Sequence, residues 1–194
     1  MILPIVGYGS PVLRKVAKEI DINYSELSKL IENMFDTMNH AYGVGLAAPQ
    51  IGLDIRLFIV DTTPFADNKD LSDDERNQLD GFKKIFINPK ITKEEGENWV
   101  FNEGCLSIPN VREDVLRPEI VHITYHDENF NLKNEIYNGL IARVIQHEYD
   151  HLEGILFTDK ISTFKKAFLK KKLQNIMEGK VNADYKMKFA SIKK

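Results

Sequence analysis

Cysteine is nearly missing from this chain: of its 194 residues only Cys105 carries a thiol. One thiol cannot close an internal disulfide, so packing alone must hold the fold. The composition fits a reducing compartment, in which that thiol stays free to act as a ligand. Long apolar runs are missing too. No segment reaches the ~20 consecutive apolar residues that a membrane-spanning helix requires, and the apolar start Met1 to Gly7 is cut by Pro4 and has no basic leader. With no Arg/Ser-rich presequence either, the expectation is a cytoplasmic protein without a membrane partner. Charge of one sign is also lacking. The formal net charge of −3 is too small for whole-surface attraction to a polyanion, which argues against DNA as a partner. What the chain does have is 43% apolar residues, enough for one globular domain with a proper core.

Histidine is scarce as well, yet two of the five fall in His147-Glu148-Tyr149-Asp150-His151. Residues four apart share a helix face, because four residues make slightly more than one turn. Both imidazoles can therefore reach one metal ion. Glu148 can reach a water on that ion, the general-base arrangement of an H-E-x-x-H helix. A solvated helix with incidental histidines would lack an apolar face. Here Leu140, Ile141, Val144 and Ile145 precede the motif and Leu152 follows it, so the helix is half buried. Buried, paired histidines need partners, and a metal satisfies both. Cys105 can supply a thiolate as third ligand, leaving a fourth position open for water. Two alternatives stand beside this reading. In a zinc endopeptidase Glu178 would be the third ligand, since no histidine follows His151 and Glu153 is too close to swing back. A non-catalytic metal module is the other, but it leaves Glu148 without a purpose.

Elsewhere the pattern mixes helix and strand. Ser10-Pro11 opens a short helix through Lys15. Leu27, Leu30, Ile31, Met34, Phe35 and Met38 recur at helical spacing until Gly43, a core-facing run in which His40 is assigned no chemistry. Strands are expected at Ile55 to Val60, Lys84 to Asn88, Asn98 to Phe101, Ile120 to His126 and Leu132 to Tyr137. His122 and His126 fall on the polar face of their strand and read as solvated. The polar stretch from Asp61 to Lys83 reads as a surface insertion, with a helical turn capped by Ser72 and stopped by Gly81. Segregated strands around one central helix argue for an α+β domain with antiparallel sheet.

Three segments then carry a family resemblance: Gly43-Val44-Gly45-Leu46-Ala47-Ala48-Pro49-Gln50-Ile51-Gly52, Glu103-Gly104-Cys105-Leu106-Ser107-Ile108-Pro109, and Gln146 through Gly154. Taken in that order they resemble bacterial peptide deformylase, over a span from about Pro4 to about Phe157. The resemblance implies a metal-dependent hydrolase that removes the formyl group from the initiator methionine of N-formylmethionyl nascent peptides. It implies antiparallel sheets packed around the metal-binding helix, and a monomer. Cys105, His147 and His151 would hold the metal, and Glu148 would move the proton. The side-chain amide of Gln50 and the backbone N–H of Leu106 would stabilise negative charge on the formyl oxygen. Gly45 would let the substrate backbone approach closely and bond in extended form. By position, Val44, Phe101, Leu140 and Val144, with His147, would form the methionine pocket, and Arg143 would lie at its rim. Glu103, Arg112 and Arg117 read either as supports of the site and contacts to the substrate carboxylate, or as surface ion pairs. A mixed thiolate–imidazole site accepts Fe(II), Co(II), Ni(II) and Zn(II), so donor chemistry alone does not choose. The resemblance implies Fe(II) in the cell.

Residues 1–160 form the expected catalytic part, and 161–194 a basic helix and tail of the same domain. Lys160, Lys165, Lys166, Lys170, Lys171, Lys172, Lys180, Lys186, Lys188, Lys193 and Lys194 are opposed there only by Glu178 and Asp184. Ser162 or Thr163 can cap a helix carrying Phe164, Phe168, Leu169, Leu173, Ile176 and Met177, which Gly179 can stop. Such a helix is either a solvated basic face or a ribosome-docking element that gains affinity by releasing counterions from RNA phosphates.

Overall fold

Strand 58–60 shows how the core is organised, because both of its faces are buried. The computed structural model describes residues 1–190, so Lys193 and Lys194 of the basic tail lie outside the described residues. In chain order the elements are β1 (Ile5–Val6), α1 (Leu27–His40), β2 (Gly45–Ala47), β3 (Leu57–Asp61), α2 (Thr63–Ala66), α3 (Asp73–Leu79), β4 (Lys83–Cys105), β5 (Ile108–His126), β6 (Leu132–Asn138), α4 (Gly139–Leu152), α5 (Thr163–Met177) and β7 (Met187–Lys188). Strands β2 to β6 form one sheet in sequence order, antiparallel throughout. Along β3, Phe58 and Val60 join the core shared with Ile141, Ala142, Val144 and Ile145 of α4. Leu57 and Ile59, one residue out of phase, join Met34 and Met38 of α1. Side chains alternate across a strand, so one apolar run serves both helices, and α4 is held against the inner strands. This is the α+β architecture expected, with the metal-motif helix packed on antiparallel sheet.

Several sequence expectations change in detail. The short helix after Ser10 is a single 3-10 turn, Pro11–Arg14, whose cap makes no side-chain hydrogen bond. The segments expected as separate strands at 84–88 and 98–101 belong to one strand, β4, which runs with β5 as a long hairpin. Register shifts interrupt that ladder at several points, and outward-facing Lys93, Glu94 and Glu95 break the apolar alternation. The insertion between Asp61 and Lys83 is more than surface. Ser72 and Glu75 do cap α3 reciprocally, but Leu79 is buried, and Phe65, Ala66 and Leu71 pack on the same core as α4. On β5 the expected alternation holds, with Val121, Ile123 and Tyr125 buried. His122 is not simply solvated, since its Nε2 lies 2.5 Å from Glu95 Oε1. His126 stacks near Phe130, with its Nδ1 buried.

Helix α5 is capped by Ser162, whose Oγ accepts from the Lys165 N–H. Its apolar residues divide between two faces. Leu169, Leu173 and Ile176 are buried with Ile108, Val111 and Val115 of β5, whereas Phe164 and Phe168 stand 71% and 69% exposed. Beyond it the tail returns to the N-terminus, where β7 pairs in parallel with β1.

Candidate active site

Three donors converge where α4 passes the end of the β4–β5 hairpin. Cys105 is the last residue of β4, and His147 and His151 sit one turn apart on α4. Their ligating atoms all lie within 4.8 Å of one another, with Cys105 Sγ 3.3 Å from His151 Nε2. Glu178, the alternative third ligand, is instead the C-terminal cap of α5, engaged with Gln174 and Lys180. That removes the endopeptidase arrangement.

Glu103 organises the ground beneath this cluster. It is 3% exposed and accepts from Arg117 Nε and Nη2 at 2.7 and 2.9 Å. Arg143 Nη1 adds a bond at 3.0 Å and His147 Nδ1 lies 2.9 Å away. With Nδ1 committed to Glu103, the His147 ring turns Nε2 toward the other donors, which is how a carboxylate orients a ligating imidazole. Arg117 also donates to Asp150 Oδ2 at 2.6 Å. Glu103 and Arg117 are thus buried supports and not surface ion pairs. Arg112 is exposed and bonds Asn102. Arg143 does line the cavity, but it is buried and does not reach out across the mouth. Its guanidinium is turned inward against the Trp99 ring at 4.3 Å and donates to the Trp99 and Val115 carbonyls.

The electrostatics follow from this burial. Burial opposes charge on Glu103, but Arg117 and His147 outweigh it and hold its carboxyl far below the usual range. Glu148 has no such donors, and burial pushes it up to about 7. Burial also opposes charge on His147, yet the Cys105 thiol and Glu103 raise its pKa well above the ordinary value. His151 is driven well below by burial and by the charge on His147. Among the buried groups, Glu103 and Asp150 offset Arg117 and Arg143. Thiolate, two imidazoles and a carboxylate within reach fit a divalent metal with an open position. Cys105, His147 and His151 could hold it.

Around the donors lies a cavity of about 440 Å³. Val44, Gly45, Phe101, Val144 and His147 line it, as the sequence suggested, together with Gln50, Cys105, Leu106 and Glu148. Leu140 is not on its wall and packs instead on the sheet side of α4. Gln50 is 1% exposed, and its Oε1 accepts from the Ala47 N–H at 2.7 Å. That bond fixes the amide so that Nε2 faces Cys105 Sγ at 3.5 Å. The Leu106 N–H is donated to no backbone acceptor among the described residues. Strand β2, at the end of the sheet order, leaves an edge at Gly45 where an extended peptide can pair.

Gly45 has a second reason to lack a side chain. A Cβ there would come within 2.8 Å of the Cγ and Cδ of Glu148, closer than carbon atoms approach without displacement. Gly45→Ala should therefore push the Glu148 carboxylate aside, and a shift near 1 Å can cost on the order of a hundredfold in turnover. Steady-state kinetics with metal content measured alongside would check this. Wild-type turnover in the variant would show that Glu148 has room to spare.

Sequence reasoning missed part of the wall. Phe65 reaches the cavity from α2, and Asn182 to Tyr185 reach it from the tail. Phe65 lay hidden in a polar insertion. The tail carried a usable signal in the alternation of apolar and polar residues from Val181 to Phe189.

Fold and site together fit a metal-dependent hydrolase built on an H-E-x-x-H helix with a cysteine within ligand distance of both histidines. A family model described as polypeptide deformylase matches residues 2–167, and the chain belongs to that family. It is 66% identical over 194 residues to a peptide deformylase of Flavobacterium psychrophilum, covering 100% of both chains. It is 64% identical to one of Flavobacterium johnsoniae, covering 100% of this chain and 99% of that one. Among solved structures, a peptide deformylase from Legionella pneumophila superposes with a TM-score of 0.77 at 35% identity, over 93% of this chain and 98% of the other. One from Plasmodium falciparum gives 0.78 at 33%, over 90% and 95%. The activity of the family is removal of the N-formyl group from nascent peptides, and it is metal-dependent.

Proposed function

We propose that deformylation here is carried out by Glu148, Gln50 and the Leu106 N–H around a metal held by Cys105, His147 and His151. The observation that carries this is the convergence of the three donors within 4.8 Å beside a buried carboxylate. A divalent ion bound there would act as a Lewis acid and lower the pKa of a water to near neutrality. Glu148 accepts the proton of the attacking water and returns it to the departing amine, a task suited to a carboxyl that burial holds near 7. Gln50 Nε2 and the Leu106 N–H would receive the charge that develops on the formyl oxygen. Val44, Phe101 and Val144 give the methionine side chain an apolar wall, and the β2 edge at Gly45 pairs with the peptide backbone. Hydrolysis of a formyl-Met dipeptide against its acetyl analogue tests the assignment. Strong preference for formyl is expected, and equal rates would overturn it.

Fe(II) is the metal we assign in the cell, with Zn(II), Ni(II) or Co(II) able to replace it at a mixed thiolate–imidazole site. Metal analysis after anaerobic purification decides it; full activity with zinc and none with iron would sink the ferrous assignment. No helix among the described residues is long and apolar enough to cross a membrane, and we read the enzyme as a cytoplasmic monomer.

We also propose that the lysines of α5 dock the enzyme on the ribosome, from which formylated chains emerge. Lys170, Lys171 and Lys172 stand on a helix whose other side is anchored by Leu169, Leu173 and Ile176, so their charge is available to phosphate. Reversing these three charges should weaken salt-sensitive co-sedimentation with ribosomes while sparing hydrolysis of free peptides. Unchanged co-sedimentation at low salt would leave α5 an ordinary surface helix.

A further inference from the structure

The turn that carries the Leu106 N–H is tied down from outside the hairpin. Leu106 and Ser107 alone connect β4 to β5, with Cys105 paired to Ile108 across them. Both turn carbonyls are engaged. The Ser107 oxygen accepts from the Tyr8 N–H at 2.8 Å, and the Leu106 oxygen accepts from the Tyr185 hydroxyl at 2.8 Å. Tyr185 comes from the C-terminal tail, far from the deformylase motifs in sequence.

The tail is well placed to hold a neighbour still. Ile5 and Gly7 N–H groups donate to the Lys186 and Lys188 carbonyls, both at 2.9 Å, on either side of the β1–β7 pairing. Asn110 Nδ2 donates to the Asn182 carbonyl at 2.8 Å, securing the tail to β5 just past the turn. The Tyr185 ring is half-buried and packs on the core that contains Leu46 and Ala48, beside Leu106 itself. Burial also holds the phenol above its ordinary pKa, so it remains a donor.

We propose that Tyr185 is a positioning residue for the reaction, fixing the orientation of the Leu106 N–H through the Leu106 carbonyl. The inference rests on the role assigned above to that N–H. Peptide planes are rigid, so the N–H and the C=O of one residue are related by only its φ and ψ. Pinning the carbonyl of Leu106 while Cys105 is held at the end of β4 leaves the intervening N–H little latitude. Donors aimed in advance at developing charge stabilise it without reorganisation, and a full donor of this kind is worth on the order of 10²–10³ in kcat. A donor that is present but loosely aimed should lose part of that.

Tyr185→Phe removes the hydroxyl and keeps the ring and its packing. Expected are a fall in kcat of about tenfold, part of the full worth of such a donor, KM for a formyl-Met tripeptide close to wild type, and unchanged metal content. The melting temperature should drop by no more than a few degrees. An unchanged kcat overturns the proposal, whether or not KM moves. So does a fall in kcat that tracks loss of metal or of folded protein, because Tyr185 would then merely support the fold. Failure of the underlying reading looks different: the metal-loaded wild-type enzyme itself would not discriminate formyl from acetyl peptides.

Discussion

Glu148→Gln should bind its metal as the wild type does and turn over at least about a hundredfold more slowly, the usual contribution of a positioned general acid–base. Glutamine leaves the thiol and both imidazoles untouched, so the donor set within 4.8 Å survives. It also keeps nearly the shape of glutamate in a place that is 4% exposed and bounded by the Gly45 backbone. What it loses is the ability to take a proton. Glu148 Oε2 is buried with no hydrogen-bond partner among the described residues, an arrangement that costs stability for any group with only a structural task. Kinetics on a formyl-Met peptide, with metal quantified in the same sample, give the answer. Wild-type turnover by metal-loaded Glu148→Gln would refute the proton-transfer role. Loss of metal from the variant would instead show that Glu148 helps hold the ion.

The parts of this site visible in the sequence were those fixed by local periodicity. Residues 147 and 151 lie one helical turn apart whatever the tertiary structure, and Leu140, Ile141, Val144 and Ile145 announce the buried side of the same helix. The third ligand was visible only through its neighbours, since a lone cysteine says nothing of where it folds. Other features depend on the path of the chain in space. Whether Arg143 points out across the mouth or in toward Glu103 is decided by the Val115 and Trp99 carbonyls, which come from strands 28 and 44 positions away. The β4–β5 hairpin escaped recognition as a unit because its outer part is solvated on both faces and carries bulges, so the two-residue period fades there. The tail is a different kind of miss. Val181, Ala183, Tyr185, Met187 and Phe189 are partly buried, and Asn182, Asp184, Lys186 and Lys188 between them are exposed. That strict alternation is a strand signal. Attention to the lysines alone turned a segment that lines the active-site cavity into a basic tail.

The largest effect on stability should come from Glu103, which no motif marks as catalytic. Arg117 and Arg143 are each 2% exposed, and both direct their guanidinium groups at its carboxylate. Asp150 answers part of the charge on Arg117, but among the described residues no other carboxylate pairs with Arg143. Replacing Glu103 with Gln keeps the volume and removes the charge, and its amide hydrogens would then face arginine N–H donors. Leaving a buried charge without its partner costs about 3–5 kcal/mol, a large share of the ~5–15 kcal/mol that holds a typical domain together. Denaturant unfolding of the metal-free variant at neutral pH should show a loss of that size. A second consequence separates this from generic core damage. The ring of His147 would keep at most a neutral amide oxygen in place of the carboxylate that orients it, so zinc affinity measured against a competing chelator should fall about 10–100-fold. The sign with pH follows from the depressed carboxyl. The folded state favours ionised Glu103, so its contribution is complete above the unfolded value of 4.5 and is lost as pH falls below it. Wild type and Glu103→Gln should therefore draw together in stability under acid. Equal stability at neutral pH would mean that the two arginines find other partners, and that Glu103 serves the metal site alone.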